Sequence, residues 1–136
     1  MWMCSKCGRV FERKDQVHSC RVVPLEKHFE NKELARELFE YLVGQIEKEI
    51  GKYKIISIPC CIHLFGSYDF LAALPKKKGL EIRFGLNRKL ESIRMTQAVQ
   101  VSSKVFKICI DVTNIKEIDS ELLGWIGEAY HLKKKI

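Results

Sequence analysis

Three cysteines and a histidine in the first twenty residues, Cys4, Cys7, His18 and Cys20, are the side chains of this chain best placed by spacing to do chemistry. They stand as Cys4-Ser5-Lys6-Cys7-Gly8, ten intervening residues, then His18-Ser19-Cys20. Zinc takes four nitrogen or sulfur donors in a tetrahedron, and a CxxC turn sets two thiolates on one side of the ion at low conformational cost. Gly8, directly after the second cysteine, permits a positive φ that turns backbone N–H groups toward the sulfurs. His18 and Cys20 are two residues apart and share a face of any extended segment. A hairpin joining the two pairs closes a four-donor site with no open position, so the expected cofactor is one structural Zn2+. Trp2, Val10, Phe11 and Val17 are too few apolar residues for a core, so the metal would supply the folding energy of this head. Reduced thiols on a tail without structure are the ordinary alternative. A redox CxxC is a third reading, and it wants a βαβ context that the pattern lacks.

Residues 4–18 resemble the first half of the DNA-binding finger with two cysteines and two histidines, with Phe11 four positions after Cys7 and Val17 just before His18. The resemblance then fails. That finger has about twelve residues between its second cysteine and first histidine and a second histidine three to five further on. Here the gap is ten, and a cysteine follows at two. A recognition helix does not fit, and base-specific reading by the head is not expected.

The only other grouping of a nucleophile with a base is Cys60, Cys61 and His63. Strand alternation puts Cys61 and His63 on one face, compatible with a Cys–His pair. No third, orienting residue is suggested by the sequence. Cys60, Cys61 and Cys109 lie in apolar runs, and the preferred reading is of small buried hydrophobes beside a hydrogen-bonded histidine. Catalysis is therefore left open, with the weight against an enzyme and with no catalytic residue assigned. His28 and His131 read as surface or helix-end residues.

The elements that must carry these groups follow from periodicity. The 136 residues, 46% hydrophobic and 30% charged, suit one ordinary core with a small appended module. The boundary is expected near Arg21 to Pro24, giving a zinc-binding head over 1–23 and a domain over 24–136. Asn31 is a plausible N-cap for a helix carrying Leu34, Leu38, Leu42, Ile46 and Ile50 at intervals of four, with Phe39 and Val43 widening the stripe and Gly51 as the stop. From Tyr53 the period changes to that of strands: 54–58, 61–65, and Phe70 to Leu74, before a hairpin loop at Pro75-Lys76-Lys77-Lys78-Gly79. Leu80, Ile82, Phe84 and Leu86 alternate with polar residues, as do Phe106, Ile108, Ile110 and Val112, and 93–101 forms a further strand between them. A closing helix starts at Asp119 as N-cap, with Leu122, Trp125, Ile126 and Ala129 as its apolar stripe. The predicted fold class is α+β: a zinc-binding β-hairpin or knuckle head, then an antiparallel meander sheet covered by an N-terminal and a C-terminal helix.

The head, the run Val23-Pro24-Leu25-Glu26-Lys27-His28-Phe29 and the ending Leu122-Leu123-Gly124-Trp125-Ile126-Gly127-Glu128-Ala129-Tyr130 together resemble a prokaryotic family catalogued as a domain of unknown function. The likeness covers nearly the whole chain. It implies a zinc-binding head on an α+β domain and supplies no catalytic residues.

The net charge of +7 is unevenly spread: residues 69–110 hold nine Lys and Arg against three acids, whereas 25–51 hold four against seven. An anionic partner would meet the middle of the chain first. Non-specific nucleic-acid binding is one candidate function, through Lys76, Lys77, Lys78, Arg83, Arg88, Lys89, Arg94, Lys104 and Lys107 on the wet face of the sheet and its loops. An ordinary solvated lysine-rich surface is the preferred account of these residues, because few aromatics are interleaved with them. A protein-interaction or self-assembly module, anchored by Trp2 or Trp125, is the other candidate. No apolar stretch approaches the ~20 residues of a membrane span, and the N-terminus shows no secretory run, so a cytoplasmic, reducing location is expected.

Overall fold

The computed structural model describes residues 2–5, 10, 11, 13, 14 and 22–132. Cys7, His18 and Cys20 lie outside the described residues, so the four-donor head site is represented only by Cys4, which is buried. Its neighbourhood contains a two-stranded antiparallel pair, β1 (Trp2–Met3) with β2 (Val10–Phe11), in the register Trp2 to Phe11 and Met3 to Val10.

After a 3-10 turn over Leu25–Phe29, α1 (Glu33–Glu49) buries Ala35, Leu38, Phe39, Leu42 and Ile46, while Leu34 is exposed. The apolar periodicity thus identifies the helix but places its buried stripe slightly off centre. Asn31 is not the cap: it takes a positive φ of 59° in the bend between the 3-10 turn and the helix, and Lys32 precedes the first helical residue. Asparagine tolerates that left-handed region better than most residues, which explains its use at a corner.

The six remaining strands are β3 (Lys54–Ile58), β4 (Cys61–Phe65), β5 (Asp69–Lys76), β6 (Gly79–Leu86), β7 (Met95–Gln100) and β8 (Phe106–Val112). They form one antiparallel sheet in the order β3-β4-β5-β6-β8-β7. The first four follow one another as a meander. The last two exchange places, so that β8 lies against β6 and β7 forms the edge. Pro75 belongs to β5, opposite Leu80, so the connection to β6 is only Lys77-Lys78. Proline has no amide proton to donate, yet its carbonyl still accepts in a ladder. The turn is tight at its far side, where a Cβ on Gly79 would stand 2.3 Å from the Val112 carbonyl oxygen.

Both helices pack on one face, α2 (Ser120–His131) crossing β5 and β6 beside α1. The main core there joins Leu38, Leu42 and Ile46 of α1 and Leu122, Ile126 and Ala129 of α2 to Ile62, Leu71, Ile82, Ile108 and Ile110 of the sheet. Asp119 caps α2 as its sequence position suggests, its carboxylate accepting from the Leu122 N–H at 3.0 Å. The architecture is α+β, with an N-terminal and a C-terminal helix flanking a six-stranded antiparallel sheet. On the opposite face of the sheet Ile56, Ile58 and Phe65 make a separate small buried cluster. Among the described residues, no helix is long and apolar enough to cross a membrane.

Candidate metal centre

The second face of the sheet carries the chemistry. Because facing residues in an antiparallel ladder share a side, the register lines up His63, Ala72, Arg83, Cys109 and Gln97 across five strands. Cys61 lies one alternation before His63 on the same face of β4, as the sequence spacing requires. Strict alternation would send Cys60 to the other face. Cys60 instead sits in the Pro59-Cys60 turn, outside the ladder, and its thiol folds back toward Cys61.

The result is a compact donor set. Cys60 Sγ lies 2.9 Å from Cys61 Sγ, and Cys61 Sγ lies 3.1 Å from His63 Nε2. All three ligand atoms fall within 4.8 Å of one another, close enough to hold one metal ion. Behind the imidazole, Asp69 Oδ2 stands 2.7 Å from His63 Nδ1. That contact is close but off the axis of a well-formed hydrogen bond, since Nδ1 is also buried without an aligned partner. A carboxylate there keeps the ring proton on Nδ1 and leaves the Nε2 lone pair facing the thiols, which is the tautomer a metal needs. The irregularity between Leu64 and Phe65 creates the contact. By pairing Phe65 with Asp69, it draws the start of β5 back toward His63.

Two departures from the sequence reading follow. Cys60 is exposed rather than a buried hydrophobe, because the turn rather than the strand carries it; Cys61 and Cys109 are buried as expected. An orienting group for His63 exists in Asp69, which local spacing could not reveal because a turn and a bulge separate the two residues. His28 also differs: it is partly buried, and its Nε2 is enclosed.

The donor set suits a metal better than a nucleophile. Burial first, and the adjacent Cys60 thiol second, push the Cys61 thiol up to about 12, whereas an activated cysteine needs the opposite shift. A bound cation reverses that balance, since coordinated thiols lose their protons outright. Around a tetrahedral zinc two thiolates stand roughly 3.8 Å apart and a thiolate and an imidazole nitrogen roughly 3.6 Å, from the usual bond lengths. The thiols must therefore spread by about 1 Å, a motion open to the exposed Cys60 in its turn. The described residues supply three donors, one fewer than a tetrahedral zinc takes.

The nine basic residues do not form one patch. Lys76, Lys77 and Lys78 occupy the β5–β6 hairpin end. Arg88, Lys89 and Lys104 lie at the other end of β6, along with Lys107, which pairs with Gly85. An eight-residue strand puts these groups roughly 25 Å apart. The arginines are engaged internally: Arg83 with Glu81, Arg88 with Glu128 at 2.8 Å, and Arg94 with Asp119 and Glu121 at 3.0 and 2.9 Å.

A family model for a domain of unknown function (DUF5655) matches residues 25–133, which hold the described helices and the six-stranded sheet. The chain belongs to that family. The DUF5655 match includes Cys60, Cys61, His63 and Asp69 and begins after the last proposed ligand of the head, Cys20. No curated protein and no solved structure matches the chain.

Proposed function

We propose that this chain is a small metal-binding protein with a three-donor centre at Cys60, Cys61 and His63, positioned by Asp69. The observation that carries the reading is the convergence of two thiols and an imidazole, with a carboxylate 2.7 Å from the far ring nitrogen. The two sulfurs favour zinc or another thiophilic ion over calcium or magnesium. A second, structural zinc held by Cys4, Cys7, His18 and Cys20 orders the amino-terminal head, and a reducing cytoplasm keeps both sets of thiols available.

Elemental analysis and cobalt reconstitution of the purified protein test this. Two metal equivalents are expected for the wild type. One is expected after Cys61→Ser with His63→Ala, and the thiolate-to-cobalt charge-transfer absorption should fall accordingly. Cys20→Ser should remove the other equivalent and leave the first. If the double variant at residues 61 and 63 retains the full metal content, the centre does not exist.

Non-specific nucleic-acid binding is a second proposal, favoured by Lys77, Lys78, Lys89, Lys104 and Lys107, which make no ion pair among the described residues. Affinity for mixed oligonucleotides that falls steeply with salt would support it, and no detectable binding at low salt would end it.

A further inference from the structure

Cys60 and Cys61 are neighbours in the chain and neighbours in space, with their sulfurs 2.9 Å apart. Consecutive residues of a strand point to opposite faces, so their thiols do not ordinarily meet. Here Cys61 pairs with Ile58 as the last rung of the β3–β4 ladder, which leaves Pro59-Cys60 as a two-residue loop. The loop frees Cys60 from the pleat and brings its sulfur onto that of Cys61. The two thiols differ in access: Cys60 is exposed and Cys61 is buried. On the inner side, His63 Nε2 lies 3.1 Å from the Cys61 sulfur, and Asp69 stands behind the ring. Among the described residues the domain's one other cysteine, Cys109, lies on β8, three strand spacings or roughly 14 Å from β4.

An accessible thiol, a second thiol in contact with it and a base beside the second are the parts of a reversible oxidation site. We infer that Cys60 and Cys61 form a vicinal disulfide when a hydroperoxide reaches the centre, and that forming it expels the metal ion. The inference deepens the metal-centre reading and rests on it for the release of the ion; the bond itself needs only the two thiols and His63.

In the metal-free centre the Cys60 sulfur attacks hydrogen peroxide: an S–O bond forms, the O–O bond breaks, and hydroxide leaves with the Cys60 proton as water. The Cys61 sulfur then attacks the resulting sulfenic acid. The S–S bond forms, the S–O bond breaks, and the departing hydroxide takes the Cys61 proton, passed through His63 Nε2, as a second water. Two thiols and one peroxide thus give one disulfide and two waters; the sulfurs together lose two electrons and the peroxide gains them. From the loaded centre, two solvent protons replace those of the thiols and the divalent ion departs, since a disulfide offers no thiolate to hold it. Adjacent Cα atoms across a trans peptide are about 3.8 Å apart, against roughly 4.4–6.8 Å in ordinary disulfides. The bond is therefore strained and readily reduced, which suits a switch rather than a permanent staple.

Trypsin should release residues 55–76 as one peptide, in which Cys60 and Cys61 are the only cysteines. The metal-loaded full chain and its metal-free form are exposed to hydrogen peroxide, free thiols are alkylated, and this peptide is weighed while a chromophoric chelator follows the metal. The peptide is expected to escape alkylation and to weigh two hydrogens less than the dithiol, with one of the two metal equivalents lost in step. A dithiol reductant should restore both thiols and the metal equivalent. Cys109→Ser should change none of this, and Cys60→Ser should leave the buried Cys61 as an alkylatable thiol. The proposal is overturned by a wild-type peptide that keeps both thiols, that carries added oxygen at Cys60 alone, or that is linked to another cysteine. It is overturned equally by oxidation of Cys61 as fast in Cys60→Ser as in wild type, or by a disulfide that forms while both metal equivalents stay bound. If the disulfide forms in a protein whose metal content is indifferent to Cys61→Ser with His63→Ala, the metal centre and the release of its ion fall, and the disulfide is supported on its own.

Discussion

Replacing Asp69 with asparagine removes a negative charge from behind His63 while keeping the size of the side chain, so it separates positioning of the imidazole from the packing of β5. Asp69 Oδ2 is 2.7 Å from His63 Nδ1, within the range of a charge-assisted contact. Groups that hold a ligating histidine from its far nitrogen are worth about 10- to 100-fold in metal affinity, or roughly 1.4–2.8 kcal/mol. The Asp69 side chain is 34% exposed and meets the ring off axis, so solvent screens part of the interaction. The lower end of that range applies, and Asp69→Asn should weaken the site about tenfold. Competition for zinc against a chromophoric chelator measures this directly. The wild-type curve should show two classes of site, and only the weaker should move in the variant, because Asp69 is not among the four donors proposed for the head. His63→Ala serves as the reference for complete loss of the imidazole. If Asp69→Asn binds within twofold of wild type while His63→Ala abolishes the weaker class, the carboxylate does not position the ring. If neither variant moves either class, the metal centre itself is refuted.

Three further outcomes test the scaffold. Asp119→Ala should cost about 1 kcal/mol at neutral pH through loss of the α2 cap. The Leu122 N–H, which is the largest influence, holds the Asp119 carboxylate below its ordinary value and Arg94 reinforces it. That stabilisation is complete above the unfolded carboxylate value and is lost as the pH falls through the lower folded one, so urea melts of wild type and variant should converge in acid. Gly79→Ala should destabilise by at least about 2 kcal/mol, because the new Cβ would meet a carbonyl oxygen, and the urea midpoint reads it. Leu42→Ala, which empties a fully buried position between α1 and the sheet, should cost about 2–5 kcal/mol by the same measurement.

The parts of the fold legible in the sequence are those set by local period. Leu38, Leu42 and Ile46 announce α1, the alternation from Leu80 to Leu86 announces β6, and Asp119 marks the start of α2. What escaped depends on contacts between distant residues. No local signal tells β7 to lie outside β8, because Met95–Gln100 would alternate equally well beside β6. Asn31 carries a sound capping residue type, but the corner after Phe29 needed a positive φ more than the helix needed a cap. At the site, alternation correctly put Cys61 with His63. The apolar run around Cys60 suggested burial, whereas the turn that carries it leaves it exposed. Asp69 was invisible for a related reason: it reaches His63 through a bulge opposite it. The basic residues were visible as a count, whereas the partners of Arg88 and Arg94, Glu128 and Asp119, come from elements distant in sequence.

The exchanged order of the last two strands has a consequence for how the molecule opens. β7 pairs only with β8 and is exposed along nearly its whole length, so its removal would break one ladder and uncover little of the main core. β8, by contrast, is held by β6 over seven residue pairs from Leu80 to Leu86. Residues 95–100 can therefore detach and return as a unit while the other five strands persist, which makes them a sub-global opening unit of low free energy. Their amide protons should exchange with deuterium well before those of β6, and the rate difference would measure how independently this border of the sheet breathes.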